Sequence, residues 1–526
     1  MAIVALALGF SGCSDDDPAI NTGEVSLQSN ATLGNFLVDG KGMTLYFFTL
    51  DVNGQSNCTG GCLAAWPIYY AEDIKPGTGV NADDFKTITR ADGQKQTTYK
   101  NWPLYYYVGD GKAGDVTGEA VDDIWFVAKP DYTIMLTDAQ LVGHDAKHYL
   151  ATNYQEGDGM TQFFVDANGL TLYTFTKDYK DTNKFTAADL SNNNVWPIYN
   201  ATIGSLPSTL DKSDFGTIQV NGRTQTTYKG WPLYYFGQDT KPGDTKGVSF
   251  PAPGIWHIVN TNTTTAPVQP TVTIRNDATY GKVLTDNQGR TLYFFARDTK
   301  GTSSCTGGCL TRWPVFNVSQ IVVPATSGLN TADFGTTGTG ATAQVTYKGR
   351  PLYYYSANND GTIEPAGQSG GNNFGTIWYV ASPDYSMMVA SGQLVGGDGN
   401  NYIIDNSQAF VAGAGNTRYF TDGTGRTIYI FTNDSKDTNT FTNGDATHDA
   451  NWPVYYFELD DAHLPSAFNK ADFGEIEVHG KQQLTYLGWP LYYFSGDANK
   501  GDTKGVTAGA IGKWPVINEN TADAPQ

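Results

Sequence analysis

Long apolar runs are missing from this sequence after its first dozen residues, so nothing beyond residue 12 has the length of a bilayer-spanning helix. Basic residues are scarce as well. The 33 Lys and Arg stand against 53 Asp and Glu, for a net charge of −20, and no basic block interrupts the chain. Phosphate backbones require clustered cations, so the composition excludes nucleic acid as a partner. Histidine is limited to His144, His148, His257, His448, His463 and His479, at positions that do not recur between repeats, and neither His-Glu-x-x-His nor Gly-x-Ser-x-Gly occurs. The expectation is a non-catalytic protein. A carboxylate pair for glycoside hydrolysis stays open, because its separation is a spatial quantity. His144 and His148 have metal-ligand spacing if helical, yet Gly397 and Asn401 stand at the corresponding places later in the chain.

What the chain has in abundance is Gly, at 60 residues, and Tyr, at 32, with only 16% charged residues, a balance that favours a turn-rich β protein. The tyrosines are ordered. A pattern Tyr-x-(Phe/Tyr)-x-x-(Asp/Asn) returns eight times, beginning with Tyr46, Phe48 and Asp51. Further copies start at Tyr105, Tyr173 (with Phe175 and Asp178), Tyr234, Tyr293 (with Phe295 and Asp298), Tyr353, Tyr429 (with Phe431 and Asp434) and Tyr492, and only Asn358 replaces the closing Asp. Copies of two kinds alternate. The first follows Thr-Leu or Thr-Ile and precedes a Trp-Pro at Trp66, Trp196, Trp313 or Trp452; the second follows Pro-Leu and precedes a lone Trp at Trp125, Trp256, Trp378 or Trp514. Two copies therefore make one unit of about a hundred residues, and four units make the chain.

A longer period overlies the first, since Tyr46, Cys58, Cys62 and Trp66 recur with identical spacing as Tyr293, Cys305, Cys309 and Trp313. Two similar halves follow, divided at the Thr-, Asn- and Pro-rich stretch 261–271. The expected organisation is a leader over 1–12, an acidic linker over 13–32 and a first repeat over 33–130. A connector with the second repeat fills 131–260; beyond the 261–271 linker lie a third repeat over 272–383, a connector with the fourth over 384–518, and a tail over 519–526. Tyr46 and Phe48 would face one side of a strand while Leu45 and Phe47 face the other, so each motif strand needs cover on both faces. Asp51 would bond amides of the following turn. Asn221-Gly222 between Phe215–Val220 and Gln225–Tyr228 predicts a hairpin. The expected fold is all-β: four tandem barrel or sandwich units, each from two half-motifs, with an eight-bladed propeller as the alternative.

Both cysteine pairs read Cys-Thr-Gly-Gly-Cys, and close, even pairing favours disulfides Cys58–Cys62 and Cys305–Cys309, with a metal or redox site as the alternative. The second and fourth units carry Asn/Asp-rich segments instead. There Asp178, Asp181, Asn183 and Asp189, repeated as Asp434, Asp437, Asn439 and Asp445, offer oxygen ligands to calcium, without the spacing or closing Glu of an EF-hand. All eleven tryptophans fall on repeat-equivalent positions, which argues for packing.

Two resemblances follow from these residues. The run Ile3 to Phe10 followed by Ser11-Gly12-Cys13 and an acidic spacer resembles the lipobox of bacterial lipoproteins, with lipidation at Cys13, although no Lys or Arg precedes the run. The Asp run also resembles a surface-export signal of outer-membrane lipoproteins. Thr44-Leu45-Tyr46 with Asp51, Cys58 to Cys62 before Trp66-Pro67, and Tyr228 with Pro232-Leu233-Tyr234 resemble a secreted-repeat lipoprotein family of unknown function. That resemblance implies an exported, often lipid-anchored protein and supplies no activity. The functional expectation is a binding or scaffold protein at the outer-membrane surface, glycan-binding or an accessory subunit of a membrane complex. Metal binding or electron transfer through the cysteine loops is the alternative.

Overall fold

The computed structural model describes residues 23–339, 343–405, 408–458 and 464–526. The lipidation candidate Cys13, the leader and His463 lie outside them. The described chain is nearly all β and falls into two compact units, one ending at Val268 and the other beginning at Gln269.

Each repeat is assembled the same way. In the first, a hairpin of Glu24–Asn30 and Gly34–Asp39 leads into the motif strand Tyr46–Phe48, which pairs antiparallel with Trp125–Val127. A second hairpin, Phe85–Thr89 with Lys95–Tyr99, carries the short edge Trp102–Pro103. The second repeat places Tyr173–Phe175 against Trp256–Ile258 and the third places Tyr293–Phe295 against Trp378–Val380. In the fourth, Tyr429 bridges Val516. Tyr46, Phe47 and Phe48 are all buried, as a strand covered on both faces requires. The Asn221-Gly222 hairpin joins Phe215–Val220 to Arg223–Tyr228, and both turn residues take positive φ, +49° and +79°, the two-residue turn that follows the twist of its strands.

Among the described residues every sheet has two or three strands and none closes into a barrel. Nor do the described residues form the four-stranded blades a propeller needs. The repeats are tandem units of small sheets; the first repeat has apolar clusters of its own, around Tyr46 and Trp66 and around Leu45 and Tyr69, and further clusters join neighbouring repeats. Phe47, Val52, Trp102 and Phe126 of the first repeat pack in one cluster with Ile134, Leu136, Phe164 and Leu172 of the connector and second repeat. Ala296 and Tyr379 of the third join Met387, Phe420 and Ile430 of the fourth. The connector strand Ile134–Val142, paired along its length with Met160–Asp166, is the shared wall in the first compact unit. The shared clusters tie the two repeats of each half together.

Candidate functional site

At the centre of each repeat the two motif strands meet back to back. Tyr46 and Tyr105 exchange both backbone hydrogen bonds at 2.9 Å, as do Tyr173 with Tyr234 and Tyr429 with Tyr492. This bridge turns the two half-motifs into partners, and their side chains cross over. The Tyr46 hydroxyl donates to Asp110 at 2.8 Å, while that of Tyr105 donates to Asp51 at 2.6 Å. Tyr173 donates to Asp239 and Tyr234 to Asp178, at 2.6 and 2.7 Å; Tyr429 donates to Asp497 and Tyr492 to Asp434, again at 2.6 and 2.7 Å. The Tyr of one motif is thus bound to the Asp of the other. In the third repeat Tyr353 bonds Asp298, and Glu364 takes the place that Asn358 vacates by accepting from Tyr293.

The second oxygen of each acid ties down the loop behind its own strand. Asp51, Asp178, Asp298 and Asp434 each accept at 2.7 Å from the amide six residues on. The turn-bonding role expected of Asp51 is therefore present, and the crossed tyrosine is the part not seen from sequence. A third tyrosine bond accompanies each pair. Tyr106, Tyr235, Tyr354 and Tyr493 donate to Asp39, Asp166, Asp286 and Asp422 at 2.8 to 2.9 Å. A signal for these existed, because each of those acids opens an Asp-x-x-Gly turn just before a motif.

Burial decides the electrostatics of these pairs. Loss of water pushes the carboxyls of Asp51, Asp178 and Asp239 up to about 7 and that of Asp497 to about 6, against the lowering pull of their tyrosine and amide donors. The same cause raises the partner tyrosines well above their ordinary range. A carboxyl whose folded value is raised holds its proton to higher pH than it does in the unfolded chain. Between about pH 4, the unfolded value, and about pH 7 the folded protein binds more protons, so stability falls as pH rises through that window, by about 1.4 kcal/mol per pH unit for each proton of difference. The urea midpoint is expected to drop from pH 5 to pH 7.5 at constant ionic strength, and Asp239→Asn to flatten the slope. A midpoint that climbs over this range would contradict the assignment.

Beside each crossed pair the tryptophans stack face to face. Trp66 lies on Trp125 at 3.8 Å, Trp196 on Trp256 at 3.6 Å, Trp313 on Trp378 at 3.7 Å and Trp452 on Trp514 at 3.6 Å, all within 10° of parallel. Gly118, Gly247, Gly371 and Gly505 let the chain pass over these rings; a Cβ at Gly247 would lie 2.7 Å from Trp196 and 2.8 Å from Tyr173. These eight tryptophans are core and offer no platform for a ligand ring.

The remaining candidates separate. Cys58–Cys62 and Cys305–Cys309 are disulfides, with Cα atoms 5.3 and 5.4 Å apart. The oxygen-rich positions of the calcium candidates turn to separate protein partners. Asp178 and Asp434 are bound to tyrosines, and Asn183 and Asn439 cap the amides of Phe185 and Phe441, both at 3.0 Å. Asp189 accepts from the Ser191 amide, Asp445 caps the short helix Ala446–Asp449, and Asp437 accepts from Thr485, while Asp181 sits at a left-handed turn. Among the described residues no three His, Cys, Asp or Glu side chains converge on a point where an ion could sit. The helix that His144 and His148 would need is also absent: His148 lies in the strand His148–Tyr149 with Nδ1 2.5 Å from Asp158, and His144 packs on Phe250.

One concave surface of the first compact unit was not visible in the sequence. A groove of about 560 Å³ is lined by Tyr154, Met160, Gln162, Trp231, His257, Asn260, Asn262 and Thr263, among others. Trp231 is half-buried, its indole N–H held at 2.8 Å by the Thr264 carbonyl. His257 stacks on Tyr154 at 4.4 Å, and burial holds its imidazole below the ordinary value and hence neutral at pH 7.

The repeat geometry now accounts for the chain's relatives. A family model described as a secreted repeat of unknown function matches residues 29–70, 86–129, 217–260, 275–317 and 477–518. Over these segments the chain is similar to that secreted repeat. Each matched segment contains one half-motif with its tryptophan, so the secreted repeat corresponds to one side of the crossed pair and two copies close one unit. The unmatched half-motifs are those that depart most from the pattern: Tyr173 and Tyr429 lack the cysteines, and Tyr353 has Arg350 for Trp and Asn358 for Asp. No curated protein and no solved structure matches the chain.

Proposed function

We propose that the protein is a non-catalytic binding protein displayed outside the cell, tethered through Cys13 to the outer membrane, with carbohydrate as the ligand class of the groove at Trp231. The groove carries the reading. Half-exposed indole beside amide and hydroxyl side chains is the combination that sugars use, an apolar face for the ring and paired donors and acceptors for its hydroxyls. The titratable residues of the repeat motif support the absence of catalysis, since Tyr and Asp are engaged with one another in the interior and none faces the groove. The secreted character of the repeat family supports the address.

Titration with a panel of soluble oligosaccharides, followed by tryptophan fluorescence, tests the reading. Saturable binding is expected for at least one glycan, and Trp231→Ala is expected to weaken it at least tenfold while leaving stability within about 1 kcal/mol, as a half-exposed side chain allows. A panel without any saturable ligand, or binding that survives both Trp231→Ala and Asn260→Ala, would remove carbohydrate as the ligand class.

A further inference from the structure

One glutamine recurs at the same place in all four repeats, and in the third its side chain lacks the partner it has in the others. Gln96, Gln225, Gln344 and Gln483 each donate from Nε2 to a leucine carbonyl, at 2.8 to 2.9 Å. In three copies the Oε1 atom receives a donor in return: Arg90 Nη1 at 2.9 Å, Asn183 Nδ2 at 2.7 Å and Asn439 Nδ2 at 2.6 Å. That donor has no counterpart for Gln344 among the described residues. Its side chain instead forms part of the wall of a cavity of about 360 Å³, together with Ser303, Cys305, Thr306 and Gly338.

The first repeat shows what this cavity is shaped to hold. Arg90 is buried there over the Cys58–Cys62 loop, and its guanidinium donates to Gln96 Oε1, to the Cys58 carbonyl at 2.8 Å and to Ser56 Oγ. The counterparts of all three acceptors, Gln344, Cys305 and Ser303, stand on the cavity wall. The hydrogen-bonded support behind them is preserved too: Ser303 lies 2.7 Å from the Tyr353 hydroxyl, which bonds Asp298, as Ser56 lies 2.6 Å from Tyr105, which bonds Asp51. Among the described residues no arginine takes the place of Arg90. Arg90 follows Phe85 by five residues, Phe85 pairs with Tyr99 as Phe334 pairs with Tyr347, and the same count from Phe334 arrives at Thr339, an exposed residue with a shorter side chain than arginine.

We propose that the cavity of the third repeat is a receptor for an arginine side chain of a partner protein. Three acceptors arranged for a planar fork select guanidinium over the point charge of lysine. Leu310, 38% exposed at the rim, gives the aliphatic stem an apolar surface. The chain's net charge of −20 favours a basic partner surface. No residue is shared with the groove at Trp231, so this site stands whether or not that groove binds carbohydrate.

Calorimetric titration of the whole chain with N-acetyl-arginine N-methylamide, its lysine analogue and free arginine tests the proposal. One saturable site is expected for the arginine amide, at least tenfold tighter than for the lysine amide. Thr339→Arg, a change at an exposed position, is expected to fill the cavity from within and abolish binding, and Arg90→Ala to raise the stoichiometry from one to two. Equal binding of the two amides, or binding unaltered in Thr339→Arg, would overturn the assignment even if Arg90→Ala failed to fold. Binding of free arginine tenfold tighter than the amide would overturn the partner protein as its source.

Discussion

Trp196→Ala is expected to destabilise the first compact unit by about 3–5 kcal/mol, the range for removing a large buried aromatic side chain. Trp196 is 1% exposed and touches rings on three sides: Trp256 stacked at 3.6 Å, Phe236 at 4.5 Å and the edge of Tyr173 at 5.3 Å. Gly247 passes close over it, so the backbone there is already as near as the indole permits. The penalty reaches beyond the second repeat. Trp196 belongs to the cluster that includes Phe47 and Phe126 of the first repeat, and the two repeats are expected to unfold together. Urea denaturation followed by circular dichroism should show one transition of this unit moving to lower denaturant, where Trp231→Ala leaves it nearly in place. A loss below about 1 kcal/mol for Trp196→Ala would show that the stacked pair is not the core of the repeat.

Asp178→Ala is expected to cost about 3 kcal/mol, more than the loss of an ordinary surface hydrogen bond, because the buried Tyr234 hydroxyl and a part-buried amide lose their acceptor at once. The Tyr234 hydroxyl and the Lys184 amide both end on this carboxyl, at 2.7 Å each. Tyr234→Phe is expected to cost less, about 1–2 kcal/mol, since the acid keeps its amide donor and can protonate in response: burial has already raised it to about 7. The order of the two penalties is itself a check on the geometry, and denaturant midpoints at pH 7.5 measure both.

The sequence disclosed the architecture through repetition. Eight returns of one motif, alternating in kind, placed the unit length, the two halves and the all-β character, because a strand covered on both faces has a distinct apolar spelling. The Asn221-Gly222 turn was legible for the same local reason. Crossing of the tyrosines was not, since it depends on the two half-motifs lying antiparallel at Tyr46 and Tyr105, a long-range pairing that spacing along the chain does not encode. The four oxygen-rich positions of each calcium candidate were legible as residues, while their separate partners were not: Asn183 turns inward to Gln225, Asp178 to Tyr234, and Asp189 caps its own loop. The groove and the cavity at Gln344 had no sequence signal of their own. The first gathers strands far apart in the chain, and the second became visible only by comparing what Arg90 does in one repeat with what stands at Thr339 in another.

The central claim is that motif tyrosine and motif acid serve each other across the two halves of a repeat, not within one half. A double-mutant cycle in the second repeat measures this directly, pairing Asp178→Asn with Tyr234→Phe in one cycle and with Tyr173→Phe in the other. A coupling of about 1 kcal/mol or more is predicted for Asp178 with Tyr234, and none beyond error for Asp178 with Tyr173, although the latter two belong to the same motif. Coupling confined to the Tyr173 cycle, or absent from both, would contradict it.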